Sequence, residues 1–174
     1  MMFFQPKKIY PLIVITIFFT FIIIANYFGI LINVSQSMKP GLYIKSTGQI
    51  RHGDIVAFCL PEPYKTSGLK KFYIQKGSKC DGATPLIKEV IAIPGDHINL
   101  QEHYIEVNGS YLLYRTFYQD SKGKKLEIYP RGDYQNTTGY WFIGANANNS
   151  WDSRYWGPIS KNHILFKLKP LIVW

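Results

Sequence analysis

The sequence predicts a mainly β domain of antiparallel strands, preceded by one apolar N-terminal transmembrane helix. Three observations carry that expectation. Pro11 to Ile32 contains no charged residue and is dominated by Leu, Ile, Val and Phe. A run of that length crosses a hydrocarbon core of roughly 30 Å as a helix. After Gly41 the apolar residues come in short β-prone runs, closed by Gly, Pro, Asn or Asp, which is the signature of strands and turns. Outside the first run no helical period of useful length is present.

Three segments follow from this: a short cytoplasmic N-terminus over 1–10, an anchor over 11–32, and an extracytoplasmic domain over 33–174. The apolar run exceeds the h-region of a usual signal peptide, and no small-x-small cleavage site follows it. Charge leaves orientation nearly tied, with Lys7 and Lys8 before the run and Lys39, Lys45 and Arg51 after it. Along the domain, Gly53–Phe58 reads as a short apolar strand and Pro85–Asp96 as a longer one closed by Pro-Gly-Asp. Tyr104–Tyr114 carries Asn108-Gly109 between two β-prone runs, the signal of a type I′ hairpin. Tyr140–Ala145 and His163–Trp174 also read as strands, the latter interrupted at Pro170. The Gly-, Ser-, Lys- and Pro-rich segments 61–71 and 119–139 read as loops.

The formal net charge is +9, but the basic residues are spread thinly and form no stripe, so no nucleic acid is expected as a partner. His52, His97, His103 and His163 lack metal-ligand spacing, and neither Cys59 nor Cys80 belongs to a C-x-x-C pair. No metal or other cofactor is expected. Cys59 and Cys80 are a possible disulfide if the domain lies in an oxidising compartment.

The chemistry centres on two short stretches. Asn33–Tyr43, directly after the apolar run, offers Ser35 and Ser37. A serine needs a base to act as a nucleophile near neutral pH. Alternation along Leu86–Ile93 puts Lys88 on one face with Leu86, Val90 and Ala92, and Glu89 on the other with Ile87, Ile91 and Ile93. A lysine held among apolar side chains loses pKa, because burial disfavours the ammonium. Its neutral amine then serves as base in a serine–lysine pair. The alternative is an edge-strand lysine that snorkels to water.

Four stretches, Ser35–Tyr43, Gly53–Phe58, Lys88–Asp96 and Gly144–Ile159, stand in the order of the motif boxes of the type I signal peptidase family, which the chain resembles from about residue 33 to 160. The short chain and the Gly77–Val90 segment resemble the conjugative-transfer (TraF-like) branch. The resemblance implies an antiparallel-sheet catalytic domain of the signal peptidase type. It implies a membrane-bound serine endopeptidase that cuts leader peptides from exported or conjugative-transfer preproteins, such as pilin precursors, through an acyl-enzyme. Carried over by position, Ser37 is the nucleophile and Lys88 the general base. Ser35 supplies a hydroxyl that completes the oxyanion hole with the Ser37 backbone N–H. Ser150 orients the lysine amine, and Asp152 and Arg154 form a structural ion pair behind the site. The implied location is a bacterial inner membrane, crossed once, with the catalytic domain on the periplasmic or outer side. The implied partners are the preprotein and the lipid bilayer, which Met38 and its apolar neighbours are expected to touch. In the conjugative branch a chain's own amine, instead of water, is implied as one acceptor of the acyl group.

The pattern is broken in two places. Ala145 stands where an acidic residue is common, with Ala147 following Asn146, and Glu89 stands where an arginine is common. Other readings are a catalytically idle, membrane-tethered subunit of a secretion or conjugation apparatus, and a self-cleaving repressor, which the anchor disfavours. A histidine-dependent hydrolase has no Gly-x-Ser-x-Gly elbow to support it.

Overall fold

A computed structural model describes residues 9–136, 138–146 and 149–174, without the side chains of 9, 21, 22 and 24–26. Lys7, Lys8 and most of the expected N-terminal segment lie outside the described residues, as does Ala147. Helix α1 (Ile9–Tyr27) is the first described element. It stops short of Ile32, because Ile30–Asn33 form strand β1, antiparallel to β2 (Gly41–Ser46). Gly29, at φ +66°, makes the turn between helix and strand. Among the described residues no helix is long and apolar enough to cross a membrane.

β3 (Ile55–Phe58), the short helix α2 (Tyr64–Lys71) and β4 (Leu86–Ala92) come next. A meander follows: β5 (His97–Leu100), β6 (Ile105–Val107) and β7 (Ser110–Leu112). Asn108 and Gly109 both have positive φ between β6 and β7, as the type I′ hairpin requires. The chain closes with β8 (Gly132–Gln135), β9 (Gly139–Ile143), α3 (Ser153–Trp156), β10 (Ile159–Ser160) and β11 (Ile164–Val173). β11 is a single long strand with an irregularity between Pro170 and Ile172, so Pro170 bends the strand without ending it.

Two antiparallel sheets result, in the orders β1-β2-β11-β3-β4-β9-β10 and β7-β6-β5-β8. β9 is buried throughout. By alternation its Tyr140 and Phe142 join one core with Val56, Phe58, Val90 and Trp156, while Trp141 and Ile143 join another with Ile98, Leu100 and Ile105. Burial of each such side chain contributes about 1.5–3 kcal/mol. The fold is mainly β.

Three expectations are corrected here. Segment 61–71 is not all loop: α2 forms although an eight-residue helix is marginal alone. The Trp151 ring lies against Gly68, where a Cβ would come within 2.7 Å of it. β8 lies inside the expected loop 119–139, its register set by pairing with β5. Alternation along β4 breaks at a bulge between Val90 and Ala92. Leu86 and Val90 share one core, but Ala92 joins Ile91 in the other, and Ile93 returns to the side of Val90.

Candidate active site

The loop from Val34 to Pro40 joins β1 to β2 and presents Ser35 and Ser37. Asn33, the last residue of β1 and buried, holds this loop from inside. Its Nδ2 donates to the carbonyls of Ser35 (3.1 Å), Met38 (3.3 Å) and Lys39 (3.1 Å). Its Oδ1 accepts from the Ser35 N–H at 3.1 Å. From the far side, Asn146 donates its backbone N–H to the Ser37 carbonyl at 3.1 Å and its amide to the Gln36 carbonyl at 3.2 Å. The loop is thus held from two sides, which sets the Ser37 carbonyl beside Gly144 at the end of β9.

Lys88 is 3% exposed. Burial lowers its pKa to about 8, against the raising effect of nearby Asp152 and with some help from Arg154. Its Nζ donates to Ser150 Oγ at 2.7 Å. Ser150 is held in turn by the ion pair behind it. Arg154 Nε and Nη2 each donate to an Asp152 oxygen at 2.8 Å, and Arg154 Nη2 also donates to the Ser150 carbonyl at 3.0 Å. Asp152 caps α3 by accepting from the Arg154 N–H, and it accepts from the Gly144 N–H at 3.1 Å. Both charges are fully buried. Removing either alone would leave the other without compensation.

Ser35 and Ser37 are bonded to one another: their hydroxyl oxygens lie 3.0 Å apart, and the Ser37 N–H donates to Ser35 Oγ at 3.4 Å. The two serines and the Lys88–Ser150 pair line one open cavity of about 540 Å³, whose further wall includes Tyr73, Phe117, Trp151 and Tyr155. Among the described residues no hydrogen bond joins Ser37 to Lys88. The arrangement places a hydroxyl and a buried amine on one cleft, the pairing needed for a nucleophile and its base. The Ser37 N–H and Ser35 hydroxyl, two donors suited to an oxyanion, are turned toward each other.

A family model described as signal peptidase, peptidase S26, matches residues 7–174. The chain belongs to the signal peptidase S26 family. The plasmid transfer protein TraF of Escherichia coli is 28% identical over 149 residues, covering 84% of each chain. The probable conjugal transfer protein TraF of Sinorhizobium fredii is 31% identical over 149 residues, or 79% of this chain and 73% of that one. A crystal structure of a signal peptidase I from Enterococcus faecalis V583 matches at TM-score 0.40 and 21% identity, covering 71% of this chain and 100% of that one.

In this S26 family member, two features of the site had no signal in the linear sequence. Asn33 is one polar residue among several at the end of an apolar run, and only the closed loop brings three carbonyls to its amide. Gly144 is the second. A Cβ there would meet Ser150 Oγ at 2.1 Å and the Ser37 carbonyl at 3.0 Å. A side chain at that point would displace both the Ser35–Ser37 loop and the partner of Lys88. Met38 is 4% exposed and packed inward, so it does not present a lipid-facing surface. Ile32 and Val34, at 68% and 75% exposed, are the outward residues beside it. Cys59 and Cys80 are joined as a disulfide. It ties the end of β3 to a small core with Ile74, Ala83 and Trp151, and Trp151 also forms the cleft wall.

Proposed function

We propose that this chain is a membrane-bound serine endopeptidase that removes leader peptides from exported or conjugative-transfer preproteins, pilin precursors among them. The observation that carries the proposal is Lys88: a buried amine, with its pKa near 8, bonded to Ser150 and lining the same cleft as Ser37. A neutral Lys88 takes the proton from Ser37 Oγ as that oxygen attacks the scissile carbonyl. The Ser37 N–H and Ser35 hydroxyl release each other and turn to the developing oxyanion, an interaction worth roughly 10²–10³ in rate per donor. The Lys88 ammonium then protonates the leaving amine, which leaves an acyl-enzyme at Ser37. Lys88, neutral again, activates water, or a positioned amine of the substrate chain, to release the acyl group. The kinship with TraF proteins supports the conjugative substrate.

The uncharged run from Pro11 to Ile32 and the exposed apolar side chains along α1, including Leu12, Val14 and Phe18, support a single-pass anchor in a bacterial inner membrane, with the catalytic domain on its outer side. α1 is 19 residues long, about 28 Å at about 1.5 Å per residue, just short of a hydrocarbon core of roughly 30 Å.

The test is to incubate the full chain, in detergent or vesicles, with the pilin precursor of its host element and weigh the products. Cleavage that is lost in Ser37→Ala and Lys88→Ala supports the proposal. A mature chain one water lighter than its linear form identifies an amine as the acceptor. If the chain neither cleaves a preprotein nor takes up a serine-directed acylating agent, it is an idle tethered subunit and the proposal falls.

A further inference from the structure

The two departures from the family pattern meet in space. Glu89 and Ala145 line a second cavity of about 290 Å³, with Met38, Tyr43, Ile55 and Asn146 among its other walls. Lys88 and Glu89 are successive residues of β4 and point to opposite faces of the strand. The nucleophile loop borders both cavities, with Gln36 and Ser37 on the first and Met38 and Lys39 on the second.

Glu89 is half-buried, and burial pushes its carboxyl above the ordinary value. Among the described residues the carboxyl makes no hydrogen bond and no ion pair, though its charge helps raise the pKa of the nearby Tyr114 phenol. Lys39, exposed on the rim, is not paired with Glu89. A carboxylate drawn out of water without a partner is costly, and a cation entering the same space offsets that cost. With alanine at 145, neither a second acid nor a bulky side chain occupies the space in front of it. The remaining walls are mostly apolar, which suits an aliphatic stem ending in a charge.

Resting on the signal-peptidase reading, we propose that this cavity is a substrate subsite. It takes a lysine or arginine side chain from the leaving side of the scissile bond, with Glu89 as its anionic end. A peptide whose leader residues lie in the first cavity, with its carbonyl at Ser37, continues past Met38 and Lys39 toward the second. An extended chain advances about 3.3 Å per residue and turns alternate side chains to opposite sides. One of the first few residues after the cut therefore points into the cavity, with its stem along Met38, Tyr43 and Ile55.

The experiment uses the full chain and internally quenched peptides spanning a cleavage site, with Lys, Ala or Glu placed in turn at each of the first leaving-side positions. At one position the Lys peptide is cleaved with kcat/KM about tenfold above its Ala counterpart, the change given by about 1.4 kcal/mol of differential binding. The near-isosteric Glu89→Gln brings that ratio to about one and leaves the Ala peptide cleaved as before. Glu89→Arg makes the Glu peptide the preferred one. If no peptide is cleaved, the peptidase reading fails, and the subsite is read from peptide binding to Ser37→Ala in the presence and absence of Glu89→Gln. Tighter binding of the Lys peptide that vanishes with Glu89→Gln supports the subsite. An unchanged Lys-to-Ala ratio in Glu89→Gln, or no preference in the unmodified chain, overturns it. A preference seen only after Lys39→Ala assigns the cavity to the chain's own lysine and overturns it as well.

Discussion

Under the proposed mechanism Lys88 sets the pH range in which the site works. Its amine acts only when neutral, and burial brings its pKa to about 8. In the free enzyme kcat/KM therefore rises about tenfold per pH unit below 8 and levels off above it. A profile that stays flat from pH 6 to 9 would remove Lys88 as the base. Lys88→Ala is expected to lower turnover by at least 10²–10⁴-fold, the usual share of a general base. Gly144 acts by having no side chain. In Gly144→Ala the added methyl collides with Ser150 Oγ and presses on the Ser37 carbonyl. We expect kcat to fall at least tenfold with KM little changed, because what is lost is the alignment of Lys88 with Ser37 and not substrate contact. Steady-state kinetics on one quenched peptide decides this.

The β1–β2 connection is a rigid element despite being a loop, because Asn33 satisfies three carbonyls and one N–H inside it. Asn33→Ala leaves those groups without partners, at a cost of about 1–3 kcal/mol for a buried unsatisfied group. The expected result is a lower urea midpoint together with a fall in kcat of tenfold or more. A stability loss with unchanged kcat would mean that Asn33 serves the fold alone. The segment between β3 and β4 depends on another tie. The Cys59–Cys80 bridge holds α2 and Trp151 near the cleft wall. A closed loop of this size stabilises by about 3 kcal/mol through the entropy of the unfolded chain. Cys59→Ala/Cys80→Ala should lower the unfolding free energy by about that amount, measured by denaturant titration without reductant. The double variant should also weaken peptide binding at the Trp151 wall.

Across the whole molecule, the hydrophobic cores among the described residues include residues of the two sheets, α3 and the connecting segments, and none from α1. The fragment 30–174 is therefore expected to fold and to cleave short peptides at a rate within a few-fold of the full chain. It should lose its advantage on membrane-embedded precursors. Size-exclusion chromatography, a thermal melt and the two substrates measured side by side would test this. A fragment that fails to fold would assign α1 a structural role that its packing does not show. The fragment should still favour detergent, because Ile32, Val34, Leu171, Ile172 and Trp174 stay exposed around the end of β1 that meets the Ser35–Ser37 loop.

The sequence by itself determined the β class, the Asn108-Gly109 hairpin and the long apolar run, and it singled out Ser35, Ser37, Lys88 and Ser150 as candidates. Those features are local: alternation, turn chemistry and short motifs are written in neighbouring residues. It also marked Glu89 and Ala145 as unusual. Only the tertiary structure decided where these residues meet. The bulge after Val90 sends Ala92 and Ile93 to faces opposite from those simple alternation assigns, because an extra residue in one strand reverses the period beyond it. α2 and β8 form where the composition reads as loop, since their stability comes from Gly68 on Trp151 and from pairing with β5. Met38 turns inward for the same kind of reason: contacts from segments distant in the chain outweigh its place beside an apolar run. The convergence of Glu89 with Ala145 comes from the pairing of β4 with β9, which sets Glu89 opposite Ile143, and that of Gly144 with Ser150 from the return of the chain after β9, held by the Gly144 N–H on Asp152; no local pattern encodes either.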